Sequence, residues 1–195
     1  MRFIIRFMDR LLRWVIGAFE FSDDPDCILR INVARALRTI RLSSGAEIQR
    51  GDRVVMIHLW NEHVPPIGPD GPDVVWAMSY GRRWFSSMRL LGAWLAANRP
   101  DVRAIGGVTS LIRLEGERGN LRLMQRTGFE VIPGRNLFGR FGEFWQTLYA
   151  WGLVWAFNAG SMRNKQSPRL QQIEMWVMAD EFLRRHGPAN PQSGG

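Results

Sequence analysis

Two of the chain's three histidines lie within six residues of each other, beside an asparagine and a glutamate. A neutral imidazole or a carboxylate can act as a general base when it reaches the proton that it removes. If the chain folds back after His58, Glu62 could pair with its imidazole while Asn61 and His63 orient the group. We therefore predict that His58, Asn61, Glu62 and His63 form the catalytic group, with His58 or Glu62 as the base.

The histidines also have other interpretations. His58 could be a partly buried strand residue that hydrogen-bonds the backbone. His58 and His63 are five residues apart, a spacing that suits neither one helix face nor one strand face. Since no third ligand is evident, no metal site is predicted. Cys27 is the only cysteine, which excludes an internal disulfide and a cysteine-cluster zinc site.

The residues before His58 predict the strand that positions it. Over residues 27–60, apolar residues alternate with polar ones between turn signals, which predicts a small antiparallel meander ending in a central strand. Successive side chains of a strand point to opposite faces, so His58 shares a face with Met56 and Trp60. A loop rich in proline and glycine follows over residues 61–72.

Helices and strands alternate further along the chain. Apolar spacing predicts a helix over about residues 74–98 and a second core strand over residues 102–108, with Gly106 and Gly107 at its far end. A short helix is predicted to end at Gly128, and a strand follows over residues 129–132. A last helix is predicted from residue 167 to about residue 186, because Ser-Pro suits a helix start.

Both ends of the chain carry patterns that suit a membrane surface. Residues 2–19 predict an amphipathic helix with an arginine stripe, which could lie in a membrane interface or dock on the protein's own core. Residues 144–162 are uncharged and rich in aromatic residues. Polar residues dilute that run, so an interfacial or buried helix is favoured over a membrane span.

The predicted fold is one α/β domain of mixed α+β type, with a mixed, largely antiparallel sheet and flanking helices. The predicted boundaries are an amphipathic helix over 1–20, an α/β core over 27–135, aromatic-rich C-terminal helices over 136–187 and a disordered tail over 188–195.

The formal net charge is +8, and Lys165 is the only lysine. A phosphate-bearing partner would suit this surface, although a preference for arginine can also be purely compositional. Arg82 and Arg83 could bind an anion or lie on a solvated helix face. Nucleic acid is not expected as a partner, because no recognition motif or basic block is present. With no signal peptide evident, the expected location is the cytoplasm, peripheral to the inner membrane.

Several familiar catalytic signatures are missing. The sequence contains no histidine–aspartate acyltransferase motif after His58, no nucleophile elbow, no Walker A loop and no dinucleotide glycine fingerprint. These absences argue against the common hydrolases, NTPases and dehydrogenases.

Three segments resemble the bacterial YkoP-like domain family. They are, in order, GDRVVMIHLWNEHVP, AIGGVTSLIR and RTGFEVIP. That family has a GD-x-V-x-x-x-H-x-x-N core, a G-V-T segment and a GF-x-V ending, and the resemblance covers roughly residues 27–150. The family has no settled biochemical function and occurs alone or attached to cell-envelope carbohydrate enzymes. The resemblance therefore implies an envelope context.

A second resemblance is to the GNAT acyltransferase superfamily. RLMQRTGF looks like that family's R-L-Y-x-K-x-G-F ending, and RAIGGV half-matches its pyrophosphate-binding loop. This implies a GNAT-like fold and acyl-CoA as a candidate cofactor, held by Arg103, Gly106, Gly107 and Thr109. Met124 stands where the family often has a tyrosine acid. The glycines could equally mark a strand that needs close packing.

The leading hypothesis is a transferase of acyltransferase type that acts on a lipid-linked or envelope substrate at an anionic membrane surface. The competing hypothesis is a non-catalytic module that docks a partner enzyme of envelope or lipid biosynthesis through its tryptophan-rich helices.

Overall fold

The computed structural model describes residues 17–60, 62–66, 68, 73–111, 117–133 and 171–188. The strands are β1 Leu29–Arg35, β2 Ile40–Arg41, β3 Glu47–Ile48, β4 Arg53–Leu59, β5 Ala104–Leu111, β6 Glu130–Pro133 and β7 Gln171–Met178. The helices of the described part are α1 Val74–Asn98, α2 Glu117–Arg126 and α3 Ala179–His186.

Five of these strands form one sheet in the order β1-β4-β5-β7-β6, and β2 and β3 form a separate hairpin. The β4–β5 pair is parallel, whereas β1–β4, β5–β7 and β6–β7 are antiparallel. Helix α1 connects β4 to β5. Two parallel strands cannot be joined by a tight hairpin and need a crossover connection of this kind. The predicted single α/β domain with a mixed, largely antiparallel sheet is confirmed.

The helices pack against one face of the sheet, which we call the helix face. Alternate strand residues such as Ile57 and Val177 point into a core formed with Trp84 and Leu91 of α1 and Phe182 of α3. Trp84, Leu91 and Phe182 are almost completely buried. Fully burying a large apolar side chain stabilises a fold by roughly 1.5–3 kcal/mol, so this core dominates the stability of the domain.

The hairpin packs against the opposite face, which we call the hairpin face. Ile40 and Ile48 of the hairpin form a second buried cluster with Val54, Ala104 and Trp176 of the sheet. Two polar links fasten the hairpin there. Arg38 Nη2 lies 2.9 Å from Glu174 Oε2, and the backbone N–H of Ser43 donates to Glu130 Oε2 at 2.7 Å. Polar strand residues on this face therefore act as anchors for the hairpin.

Helix α1 has the predicted limits. It begins after Asp73, whose carboxylate accepts a hydrogen bond from the Trp76 N–H at 2.6 Å and so satisfies an unpaired donor of the first turn. It ends at Asn98, just before Pro100. The predicted cap of α2 is also confirmed, because Gly128 has a φ of +92°, a value that favours glycine.

The prediction of one helix over residues 167–186 is wrong within Gln171–Met178, which is strand β7, and only Ala179–His186 is helical. The predicted segment of C-terminal helices over 136–187 is wrong in the same place. Ile173, Met175 and Val177 enter the helix-side core, while Trp176 and Met178 enter the hairpin cluster. A strand that is buried on both faces has apolar residues at successive positions. Its sequence therefore does not show the alternation of apolar and polar residues that identifies a half-buried strand.

Other predicted segments lie largely outside the described residues: the helix over 2–19, the aromatic run over 144–162 and the tail over 188–195. At the end of the first one, residues 17–20 are not helical, and Phe19 exchanges two backbone hydrogen bonds with Ile31 on the outer edge of β1. In the part of the chain that the structure describes, no helix is long and apolar enough to cross a bilayer.

Candidate functional site

His58 lies on the hairpin face near the end of β4 and is bound to a residue of β1. Its Nε2 lies 2.7 Å from Asn32 Oδ1. An amide oxygen accepts only, so Nε2 carries the proton and donates it. The antiparallel register pairs Asn32 with Met56 and Arg30 with His58, and Arg30, Asn32, Met56 and His58 all share the hairpin face by strand alternation. The pairing of β1 with β4 therefore assembles this contact.

Burial lowers the pKa of the His58 imidazole from its ordinary value of 6.5, because the protein interior disfavours the charged form. The side chain is thus neutral at neutral pH, with the proton on Nε2 and a lone pair on Nδ1. No described residue forms a hydrogen bond with Nδ1. A neutral imidazole held in one tautomer is the form in which histidine works as a general base.

Arg30 occupies the next position on the same face and connects the His58 region to the following loop. It is 8% exposed, so its charge needs partners. Its Nη2 lies 2.7 Å from Glu20 Oε1, and its Nη1 lies 3.5 Å from Glu62 Oε2. The guanidinium carbon also lies 4.3 Å from the centre of the Trp60 ring, a favourable cation–π geometry. Arg30 thereby holds both Glu62 and Trp60.

His63 is bound on the other side of the same loop. Its ring stacks on Trp60 with centroids 3.6 Å apart, and its Nδ1 donates to the carbonyl oxygen of Cys27 at 2.9 Å. Arg83 of α1 donates through Nη1 to the His63 carbonyl at 2.7 Å and lies 3.3 Å from the Asp26 carboxylate. His63 therefore forms part of the anchor between the loop and the body of the domain.

The four predicted catalytic residues are only partly brought together. His58 pairs with Asn32, whereas Glu62 contacts Arg30 and His63 contacts Cys27. Asn61 lies outside the described residues. His58 is a partly buried strand residue, as its alternative interpretation predicted, but its hydrogen-bond partner is a side chain and not the backbone.

The predicted cofactor residues lie in and around β5. Gly106 and Gly107 are inside this strand rather than at its far end, paired with β4 on one side and β7 on the other. That predicted position is wrong. A phosphate loop uses backbone N–H groups that are exposed at a helix start, whereas here both neighbours are strands. The exposed Arg103 precedes the strand, and the backbone of Thr109 pairs with Ile173.

The glycines are required for packing. Three carbons of the Trp176 indole lie within 3.0 Å of the position that a Cβ would take at Gly106. At Gly107 the corresponding space is taken by the side chains of Met175 and Ile57. The close-packing interpretation therefore fits this pair better than a phosphate loop does.

Arg82 and Arg83, the predicted anion-binding pair, point in different directions. Successive side chains of a helix project about 100° apart around its axis. Arg83 is turned towards Asp26 and the His63 carbonyl, whereas Arg82 is exposed. The two guanidinium groups consequently do not converge on one anion.

Asn32, Arg30 and Glu174 were not predicted from the sequence as functional residues. For the first two a signal was available, because the sequence LRINVAR alternates and places both polar residues on one strand face. Glu174 was assigned to a helix. Only Glu174 interrupts the apolar run from Ile173 to Met178, so the sequence offered no clear alternation there.

The fold and the site define a mixed α/β protein with a histidine–asparagine pair on the hairpin face of its sheet. A model of the YkoP domain family matches residues 1–186, and the chain therefore belongs to the YkoP domain family. No curated protein and no solved structure matches the chain, so the GNAT-like character of the fold stays a prediction. Among the described residues, no group of histidine, cysteine and carboxylate side chains is arranged to hold a metal ion.

Proposed function

We propose that this YkoP-family protein is an enzyme that works at the inner surface of the bacterial cytoplasmic membrane, with His58 as its general base. The contact of 2.7 Å between His58 Nε2 and Asn32 Oδ1 carries this proposal. It selects the neutral tautomer in which Nδ1 is the basic atom. Removing either partner alone would leave a polar group of this face unpaired.

The chemistry that fits such a base is transfer to a hydroxyl group or to water. Nδ1 of His58 would take the proton of the attacking hydroxyl as its oxygen bonds to an electrophilic carbon, and would return that proton to the leaving group. Acyl transfer to a lipid-linked or envelope substrate is a reaction of this kind. The packing of Gly106 and Gly107 means that an acyl-CoA donor would have to be held by other residues.

Arg30, Glu62 and Trp60 have a positioning role in this proposal. Their mutual contacts fix the loop that follows His58, so that the end of β4 keeps one geometry. Because the base is already held in position, no further entropy has to be lost to orient it at the moment of reaction.

Three single variants test the proposal: His58→Gln, Asn32→Ala and, as the control, His186→Gln. His186 is a partly buried histidine on α3 whose Nε2 donates to the Thr127 carbonyl at 3.0 Å, and α3 packs on the helix face of the sheet, opposite to the pair. A strain lacking the gene is complemented with each variant, and envelope integrity is measured. We expect loss with His58→Gln, partial loss with Asn32→Ala, and retention with His186→Gln at equal protein levels.

The donor is tested separately by calorimetric titration of the purified protein with acyl-CoA. A heat of binding supports acyl transfer. If a functional protein gives no heat of binding, acyl-CoA is excluded as the donor, while the proposed role of His58 as the base is unaffected.

A second candidate is a non-catalytic module that docks an enzyme of envelope or lipid biosynthesis. The observation in its favour is that the polar side chains of the site already bind each other, as in the pairs Asn32–His58 and Arg30–Glu20. A docking module keeps its cellular role when His58 is replaced by a residue that preserves folding. Full complementation by His58→Gln would therefore favour this candidate.

A further inference from the structure

Three large apolar side chains at the start of α1 are unusually exposed. Val74 is 75% exposed, Val75 is 74% exposed and Met78 is 72% exposed. Residues separated by three or four positions lie on one side of a helix, so Val74, Val75 and Met78 form one patch over the first turn. We call it the α1 patch. Contiguous exposed apolar surface at a helix end marks an interaction site more often than a scattered single residue does.

The charges along α1 indicate what the patch contacts. The helix carries Arg82, Arg83 and Arg89 and has no aspartate, glutamate or lysine. Arg82 and Arg89 are exposed, and they continue the side of the helix on which Met78 lies, by steps of four and seven residues. A surface with this charge is complementary to phosphate groups.

The spacing of these residues matches the depth profile of a membrane interface. With a rise of about 1.5 Å per residue, Arg82 lies about 6 Å behind Met78 along the axis. The polar headgroup region on each side of a bilayer is about 5–8 Å thick, so α1 entering end-first would bring the patch to the boundary between headgroups and acyl chains. With the patch in that boundary, Arg82 would lie at the level of the lipid phosphates.

The neighbouring residues hold the patch in place. Asp73, the acidic residue before it, uses its carboxylate to cap the helix. Trp76 is stacked on Tyr80 with centroids 5.1 Å apart, and its indole N–H donates to the Pro65 carbonyl at 2.8 Å. The first turn is therefore rigid, which lowers the entropic cost of inserting it.

We infer that the α1 patch is the surface through which the protein contacts an anionic lipid bilayer, with Arg82 bound to headgroup phosphate. This inference rests on the proposed location at the membrane and names the residues that produce it. It also gives Arg82 a role separate from that of Arg83, which anchors the loop.

The first experiment measures co-sedimentation with vesicles of phosphatidylglycerol and phosphatidylcholine at low salt. The test variants are Val75→Glu/Met78→Glu and Arg82→Glu. The matched controls are Leu37→Glu, at an apolar residue that is 70% exposed elsewhere, and Arg50→Glu, at another exposed arginine. We expect the vesicle affinity of the test variants to fall at least about tenfold, and that of the controls to change much less.

The second experiment locates the inserted residue directly. Cys27 is completely buried, so a thiol introduced by Met78→Cys or Leu37→Cys can be labelled selectively with an environment-sensitive dye. Addition of vesicles should shift the emission to the blue for the label at position 78, while the label at position 37 stays unchanged.

The outcomes separate this inference from the proposed function. If the wild-type protein sediments with vesicles but the label at position 78 does not respond, the α1 patch is the wrong surface and the membrane location stands. If the wild-type protein does not sediment at all, both the inference and the membrane location are overturned. Equal loss with test and control variants overturns the inference, since it would show a general charge effect.

Discussion

The indole of Trp176 occupies the space beside Gly106 that any other residue would fill with its side chain. These residues are direct cross-strand partners on β5 and β7, and the indole N–H donates to Glu174 Oε2 at 3.0 Å. Glu174 in turn binds Arg38 of the segment leading into the hairpin. The glycine, the tryptophan and the hairpin are therefore connected, and the absence of a side chain at position 106 serves the packing of the hairpin face.

Gly106→Ala should lower the free energy of unfolding by about 1–3 kcal/mol, because the added methyl overlaps the Trp176 ring in a closely packed region. Chemical denaturation of the purified variant measures this change. Gly81→Ala is the matched control, since a Cβ at Gly81 meets no atom within 4 Å.

In the control, alanine should stabilise helix α1 by about 0.5–1 kcal/mol, as alanine restricts the unfolded chain more than glycine does. A neutral effect of Gly106→Ala would contradict the packing role. Binding of acyl-CoA that Gly106→Ala abolishes without loss of stability would restore the phosphate-loop interpretation.

Asn32→Asp should raise the pKa of His58 relative to the wild-type protein. A carboxylate at the position of the amide would accept the same hydrogen bond and add a negative charge, which favours the imidazolium form. Titration of the imidazole resonances by NMR measures the shift, with His186 as an internal reference. An unchanged His58 titration in the variant would show that the contact with residue 32 does not persist in solution.

The strands and helices that the sequence predicted well have a visible local signal. Helix α1 was predictable because Asp73 caps its first turn and the Arg-Pro pair follows its end. The alternation around His58 correctly separated Val55 and Ile57 from His58, since only the first two enter the helix-side core. Local periodicity thus identified the strand and the face on which the histidine lies.

The partners of His58 and Gly106 depend on pairing between distant segments. Asn32 is 26 residues from His58 along the chain, and its contact with the imidazole follows from the β1–β4 register, which no local pattern specifies. Trp176 was assigned to a helix because β7 is buried on both faces. The sequence therefore did not show that Trp176 lies beside Gly106.

Arg83→Met should destabilise the protein by about 1–2 kcal/mol, because it removes a hydrogen bond from a charged donor to the His63 carbonyl and leaves that acceptor unpaired. Arg82→Met, one position earlier and exposed, should change the free energy of unfolding by less than about 0.5 kcal/mol. Thermal and urea denaturation of both variants measure the difference.

The same pair of variants also tests the separate roles of the two arginines. Arg82→Met should weaken vesicle binding without destabilising the fold, whereas Arg83→Met should act on stability. Equal destabilisation by both would contradict the different contacts that the structure gives them.

His58 should also make the stability of the protein depend on pH. Its pKa in the folded state lies below the ordinary value of 6.5, so below that pH the unfolded chain binds a proton that the folded protein does not. The free energy of unfolding therefore falls as the pH decreases from 6.5 towards the folded-state pKa, and it is independent of this group above that window. His58→Gln removes the titrating group and should flatten this part of the profile relative to that of the wild-type protein. Urea denaturation across this range measures both profiles, and an unaltered slope in His58→Gln would show that the imidazole is not held neutral by the fold.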